Sequence, residues 1–122
     1  MSAIDRFNDM VASAEVTKLT GAQLADFIAS PGLGMVLLAS DPARQGEAID
    51  LVVVMRELRR SDPTLRTALV EPADVLGVMA SAQVIVLPSL VVCGNGSIHD
   101  VLPRIQDWTA YTRALGRLQS AA

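Results

Sequence analysis

Residues 86–96 read VLPSLVVCGNG, and this stretch decides the fold. A proline stands before an apolar run, and an Asn-Gly pair closes that run. Because Asn-Gly accepts the positive φ angles of a tight turn, the stretch predicts a strand from Ser89 to Cys93 and a hairpin turn at 94–96. A second strand, from Ser97 to Leu102, is expected to pair with the first.

The segment before this hairpin alternates between helical and strand patterns. Apolar spacing predicts helices over residues 3–14, from the Thr20–Gln23 capping-box pattern through Ile28, and from Pro72 to near Ala82. Strands are predicted over the shorter apolar runs between them, and a last helix is expected to start at Asp107. The predicted strands are 15–19, 34–39 and 65–70, and the residues expected to face inward from the last helix are Trp108, Tyr111, Leu115 and Leu118.

One segment, Ile49 to Arg60, is ambiguous by composition. Its Val52–Val54 run favours a strand, whereas the spacing of Leu51, Met55 and Leu58 favours a helix. We predict a helix, because arginines gather near its end, where cations meet the negative end of the helix dipole. The resulting order, α-β-α-β-α-β-α-β-β-α, predicts a single α/β domain over 1–122 with a mixed sheet and helices on both sides.

Composition excludes several classes of function. The chain has 122 residues, 51% of them hydrophobic, and a formal charge of −3, which suits a globular domain and argues against nucleic-acid binding. The N-terminus lacks the apolar core of a signal peptide, and the apolar runs are too short to insert into a membrane, so a cytoplasmic protein is expected. The single cysteine, Cys93, excludes a disulfide within the chain.

The loop LASDPARQG, residues 38–46, follows a buried apolar strand and leads into a helix. Asp41 and Pro42 are favoured residues for a helix start, which gives them a purely structural interpretation. The alternative is that Ser40, Asp41 and Arg44 face a partner. Both can hold, since a capped helix start also fixes the loop that contacts the ligand.

The element order and the VLPSLVVCGNG stretch together resemble the thioredoxin fold. The resemblance implies a mixed central sheet of four to five strands flanked by helices, and it implies that Pro88 is the cis-proline of that fold. It also places residues 38–46 where a thioredoxin has its CxxC motif. The two cysteine positions fall near Pro42 and Gln45, so the redox thiols are absent.

Within this fold the chain is similar to hydrogenase expression/formation proteins of the HyaE/HupG type. The similarity spans about residues 16–118, and three segments carry it: VLLASDPAR at 36–44, VMRELRR at 54–60 and PSLVVCGNGSIHDVL at 88–102. It implies a non-enzymatic chaperone, without cofactor or metal, for maturation of a [NiFe] uptake hydrogenase. The implied partner is the small-subunit precursor with its twin-arginine signal peptide, with other maturation proteins as further partners.

The same resemblance implies a partner-binding surface at the thioredoxin-site position. A cis-proline would leave neighbouring backbone groups open to pairing with an extended peptide. Four acids flank this side in the predicted topology: they either receive the two arginines of a signal peptide or form a plain soluble surface. These acids are Glu47, Asp50, Glu71 and Asp74, and the binding residues expected from the resemblance are Ser40, Asp41, Arg44, Glu47, Leu87 and Pro88.

Two other functions remain open at this stage. The first is a thiol oxidoreductase or peroxidase that uses Cys93, although a free cysteine among valines is more often buried and inert. His99, across the hairpin, is the one candidate found for a cationic neighbour of that thiol. The second is a structural adaptor that contacts the folded hydrogenase. Arginines at 56, 59, 60 and 66 are expected to be solvated charges around the end of a helix.

Overall fold

The structure is a computed structural model that describes residues 3–40 and 46–121, with side chains described for 5–40 and 46–116. Ten helices and strands follow each other in the predicted order, which confirms that prediction. They are α1 (Ala3–Ser13), β1 (Thr17–Leu19), α2 (Leu24–Ala29), β2 (Gly34–Leu38), α3 (Gly46–Ser61), β3 (Arg66–Val70), α4 (Val75–Val78), β4 (Ser89–Gly94), β5 (Ser97–Pro103) and α5 (Trp108–Ala121). Single 3₁₀ turns, Gly21–Gln23 and Pro72–Asp74, lead into α2 and α4.

The strands form one mixed sheet in the order β1-β3-β2-β4-β5. β1, β3 and β2 run parallel, whereas β4 is antiparallel to β2 and β5 is antiparallel to β4. The carboxyl ends of the three parallel strands therefore meet the start of β4 and the end of β5 at one edge of the sheet. We call this the site edge, and it includes Ser40, Pro88 and Arg104.

Two apolar cores lie on opposite faces of the sheet, as the alternation of side chains in a strand requires. Met35 and Leu37 of β2 face the core shared with α1, α3 and α5. Val36 and Leu38 face the core shared with α2 and α4. Because β2 is covered on both faces, every one of its residues is buried, which explains why its sequence is a continuous apolar run.

Local chemistry accounts for the element boundaries. Before α2, the Thr20 backbone N–H donates to Gln23 Oε1 at 2.9 Å, which is the glutamine half of the predicted capping box. In the β4–β5 hairpin, Asn95 and Gly96 take φ angles of 54° and 87°, which gives the turn predicted from the Asn-Gly pair. A register shift between Val92 and Cys93 then adds one residue to β5.

Three differences from the sequence predictions stand out. The helical interpretation of 49–60 is correct, but α3 begins earlier, at Gly46. The helix from Pro72 is shorter than predicted: it ends at Val78, and hydrogen-bonded turns continue from there to Gln83. The inward orientation of Trp108 is wrong, because its side chain is 47% exposed whereas Tyr111, one turn further on, is 1% exposed. Trp108 is the first residue of α5, five residues after the end of β5; Leu118 lies outside the described side chains.

Candidate functional site

The site edge brings two of the predicted site residues, Ser40 and Pro88, to the ends of neighbouring strands. Leu38 at the end of β2 pairs with Ser89 at the start of β4, and Ser89 pairs with Pro103 at the end of β5. Ser40 is exposed two residues after Leu38, and Pro88 directly precedes Ser89. Asp41 and Arg44, which were also predicted to bind, lie outside the described residues.

The Leu87–Pro88 peptide bond is cis, the isomer that the thioredoxin resemblance implies. Three contacts hold this segment to the sheet. The Pro88 carbonyl accepts a hydrogen bond from the Arg104 N–H at 2.8 Å. The Ser89 hydroxyl donates to the Val86 carbonyl at 2.6 Å. Leu87 is half-buried against the core beneath α2 and α4, so this predicted site residue contributes both packing and exposed surface.

Glu47, in the first turn of α3, forms an ion pair with Arg104, which follows β5. Arg104 Nε donates to Glu47 Oε2 at 2.8 Å, and Arg104 Nη2 donates to Glu47 Oε1. This two-point contact holds the pKa of Glu47 below its usual range and raises the pKa of Arg104. Glu47 was among the predicted binding residues but Arg104 was not, because no local pattern links residues that lie 57 positions apart.

The other acids on this side have different environments. Asp74 Oδ2 accepts the Gly21 backbone N–H at 2.9 Å, which ties the loop after β1 to the loop after β3. Glu71 directly follows β3, and its N–H donates to the Leu19 carbonyl at 2.7 Å. Asp50 is exposed on α3. Asp74 therefore has a structural role, while the Glu47, Asp50 and Glu71 side chains carry negative charge at the surface.

Several apolar side chains are exposed on segments that connect to the site edge, and the sequence patterns did not indicate this exposure. The large hydrophobic side chains that are exposed within the described residues all lie on segments that leave or enter this edge. Two of them, Ile85 (88% exposed) and Val86, come directly before Leu87 and Pro88. We call the set the apolar rim, and it consists of Leu76, Ile85, Val86, Ile105 and Trp108. The signal in the sequence that could have indicated this exposed segment is the run of four apolar residues, 84–87, directly before a proline.

Cys93 lies at the other end of the sheet. It is five residues from Pro88 along β4, which corresponds to about 17 Å at the usual rise of a strand. The thiol is fully buried, and burial raises its pKa, while the nearby Arg66 guanidinium opposes part of that rise. The cationic neighbour of Cys93 is therefore Arg66, and the choice of His99 was wrong. The His99 Nε2 atom instead lies 2.8 Å from the Gly94 carbonyl.

Arg66 and Cys93 meet because a glycine separates them. Both pair with Gly34 of β2, one from each side, and Gly34 has no side chain to keep them apart. The Arg66 guanidinium stacks 4.4 Å from the centroid of the Phe27 ring. It also donates to the carbonyls of Phe27, Ser30 and Gly32 at 2.6, 3.1 and 2.9 Å. Arg66 thus closes this end of the sheet.

The other three arginines that were expected to be solvated around the end of a helix form ion pairs. Arg59 contacts Glu15 at 3.1 Å, and Arg56 and Arg60 contact Glu57 at 3.2 and 3.3 Å. Surface ion pairs of this kind contribute little to stability, but they reduce the local positive charge. The interpretation as a solvated helix end therefore fits these three residues, whereas Arg66 is held by backbone carbonyls.

Two features are absent from residues 3–40 and 46–121. That part of the chain has no group of three or more His, Cys, Asp or Glu side chains that could hold a metal ion. It also has no helix with the length and apolar character needed to cross a membrane.

The chain is similar to known hydrogenase expression proteins. Residues 7–111 match the family described as hydrogenase-1 expression protein HyaE. Hydrogenase expression/formation protein HupG of Rhizobium leguminosarum bv. viciae is 35% identical over 95 residues, which cover 77% of this chain and 64% of that protein. HoxO of Azotobacter vinelandii, also named a hydrogenase expression/formation protein, is 34% identical over 63% of this chain and 52% of its own length. The chain thus spans less than two thirds of these relatives.

Solved structures show the same fold at low sequence identity. Mitochondrial thioredoxin 3 of Saccharomyces cerevisiae superposes with a TM-score of 0.71 at 13% identity, over 84% of this chain and 95% of that one. A Plasmodium falciparum thioredoxin gives a TM-score of 0.67 at 18% identity, over 83% of this chain and 98% of that one. The family match and the fold confirm both resemblances read from the sequence: the chain belongs to the family of hydrogenase-1 expression protein HyaE, and its fold is that of thioredoxin.

Proposed function

We propose that this protein is a non-enzymatic chaperone in the maturation of a [NiFe] uptake hydrogenase. Its partner would be the small-subunit precursor, which it would bind in the cytoplasm through the twin-arginine signal peptide before export. The observation that carries the proposal is the apolar rim: its members Ile85 and Val86 directly precede Leu87 and the cis-proline Pro88, and its member Ile105 directly follows Arg104, the partner of Glu47.

The chemistry of this edge suits such a peptide. A signal peptide of this kind combines two arginines with an apolar segment. The apolar segment would cover the rim, because removal of exposed apolar surface from water favours binding. The arginines would meet a surface that carries the Glu47, Asp50 and Glu71 carboxylates, and charge-assisted hydrogen bonds to carboxylates are stronger than neutral ones. Ser40 and Leu87 would add contacts on either side of the cis-proline, and Asp41 and Arg44 belong to the same proposed surface.

Covalent catalysis is not part of the proposal. The positions of the two redox cysteines are near Pro42 and Gln45, which have no thiol. The single thiol of the chain, Cys93, is buried at the opposite end of the sheet. A thiol oxidoreductase or peroxidase that uses Cys93 would therefore need this residue to become exposed, and its reaction would take place at the end of the sheet opposite the site edge.

An amide chemical-shift titration with the signal peptide of the cognate small subunit tests the proposal. The control peptide has lysines in place of its two arginines. We expect shifts at Ser40, Glu47, Leu87 and Ile105, smaller shifts with the control, and weaker binding at high salt because exposed charges are screened. A full-length folded small subunit is titrated in parallel.

Variants locate the surface. Ile85→Ser removes an exposed apolar side chain from the rim and is expected to weaken binding, whereas Ala12→Ser, at an exposed position of α1, should not. Absence of shifts with both peptides at millimolar concentration would overturn signal-peptide binding. If the folded subunit then shifted the same residues, the protein would be an adaptor for the folded hydrogenase.

A further inference from the structure

The Glu47–Arg104 ion pair has an unusual construction for a surface contact. Arg104 is fixed through its backbone, because its N–H binds the Pro88 carbonyl and its φ angle is 57°, in the left-handed region. Few non-glycine residues adopt that region, and this one directs a guanidinium from the end of β5 to the first turn of α3. The two N–H···O contacts use both oxygens of the carboxylate.

The pair is accessible to a partner. The side chain of Arg104 is 56% exposed and that of Glu47 is 32% exposed. A second guanidinium that arrived from solution would therefore reach the same carboxylate. Exchange of one guanidinium for another conserves the charge pair and both hydrogen bonds, so the energy lost on opening the internal pair is largely recovered. A lysine ammonium does not offer the same planar pair of donors.

Two exposed apolar residues lie close to Arg104 along the chain. Ile105 follows Arg104 directly, and Trp108 begins the next helix; both belong to the apolar rim. A peptide with an arginine beside apolar residues would thus find a carboxylate and an apolar surface together.

We propose that Glu47 is the receptor for an arginine of the bound peptide, and that Arg104 is an internal competitor which that arginine displaces. The inference rests on the proposed function for the identity of the peptide, since the structure supplies only its chemistry: a guanidinium followed by apolar side chains. Arg104 then keeps the carboxylate paired while the site is empty and lowers affinity for ligands that cannot replace a guanidinium.

The competition makes opposite predictions for the two partners of the pair. Arg104→Gln removes the competitor, so the affinity for an arginine peptide should rise about two- to fivefold, the range expected for loss of one exposed ion pair. Glu47→Gln removes the receptor, so affinity should fall and the preference for arginine over lysine should disappear. If Arg104 instead belonged to the binding surface, both variants would weaken binding.

Trp108 is the only tryptophan of the chain and lies four residues after Arg104, so its fluorescence serves as a label-free signal in the titration. The probe is an acetylated and amidated tetrapeptide of two arginines followed by two leucines, and its partner has two lysines in place of the arginines. Dissociation constants are measured for the wild type, Arg104→Gln, Glu47→Gln and Arg104→Lys. Arg60→Gln is the matched control, because it removes an arginine from a surface pair with Glu57 on the last turns of α3.

The expected order of affinity for the arginine probe is Arg104→Gln, then Arg104→Lys, then wild type together with Arg60→Gln, and last Glu47→Gln. Circular dichroism establishes whether each variant is folded. If Arg104→Gln is not folded, Arg104→Lys takes its place in the test. Weaker binding by the Arg104 variants, an arginine preference that survives in Glu47→Gln, or no binding of the probe by any variant would overturn the inference. Signal-peptide binding without dependence on Glu47 would overturn this inference alone, and Glu47-dependent probe binding without signal-peptide binding would overturn the proposed function alone.

Discussion

Replacement of Gly34 by alanine should destabilise the protein, because the space beside Gly34 is filled by three side chains. A Cβ atom at this position would lie 2.9 Å from Cys93 Sγ, 3.0 Å from Phe27 Cε1 and 3.2 Å from Arg66 Nη2. Comfortable contacts between carbon atoms are about 3.5–4.0 Å, so each neighbour would have to move by several tenths of an ångström. Since Gly34 does not lie in the left-handed region, the expected loss comes from crowding and not from backbone strain.

None of the three neighbours moves freely. Cys93 belongs to a strand that is paired on both sides, Phe27 lies under the Arg66 guanidinium, and Arg66 is held by three carbonyls. Overpacking of a buried site by one methyl group costs about 1–3 kcal/mol, and the rigid surroundings favour the upper part of that range. For a chain of this length, each kcal/mol lowers Tm by about 3–5 °C.

Urea and thermal unfolding of four variants test the reasoning: Gly34→Ala, Cys93→Ala, the double variant and Gly116→Ala. The double variant should lose about 1 kcal/mol less unfolding free energy than the two single variants lose in sum, because Cys93→Ala removes the atom nearest to the new Cβ. Coupling energies between contacting residues are of this order. Gly116→Ala, in α5, would place a Cβ with no heavy atom within 4 Å, so it should gain up to about 1 kcal/mol from helix propensity. Additive effects of Gly34→Ala and Cys93→Ala, or a neutral Gly34→Ala, would refute the reasoning.

Two further predictions concern the same end of the sheet. The native Cys93 thiol should resist iodoacetamide at pH 8 and react at once in urea. Because burial raises the pKa of this thiol above the ordinary 9.0, its contribution to the free energy of unfolding should be fully present below about pH 9 and decrease as the pH rises above that value. The decrease should be smaller in Cys93→Ala. Rapid alkylation of the folded protein would contradict both statements. Arg66→Lys should lose about 1–3 kcal/mol of unfolding free energy, since an ammonium cannot serve the three carbonyls that the guanidinium binds. A loss below about 0.5 kcal/mol in urea unfolding would show that these bonds contribute little.

The order of helices and strands was predictable because local patterns determine it. Asn95-Gly96 specifies its own turn, and the apolar run of β2 follows from burial on both faces. The helix over 49–60 was predictable despite its valines, because the spacing of Leu51, Met55 and Leu58 describes a helix face that is buried in the structure. The Trp108 prediction failed because periodicity indicates which side of a helix faces the core but not whether the first residue of that helix is covered.

The site was less predictable, because its contacts join distant parts of the chain. The pairing of Glu47 with Arg104 depends on the left-handed backbone of Arg104, which no local pattern indicated. The Arg66–Cys93 contact depends on the gap at Gly34, although the thioredoxin strand order would have placed 66 and 93 on either side of β2. The apolar rim could have been suspected at 84–87, but exposure of Ile85 depends on the turn that precedes the proline.

Arginine serves opposite purposes at the two ends of this sheet, and the difference indicates where a partner can act. At the Cys93 end, Arg66 donates to three carbonyls, covers an aromatic ring and leaves a buried thiol behind it, so a ligand there would have to disrupt the fold. At the site edge, Arg104 lies on a single carboxylate at the surface, and an equivalent group from outside can take its place. A thioredoxin fold without redox cysteines thus retains the open edge and the cis-proline, and a reversible exchange of ion pairs there requires no covalent step.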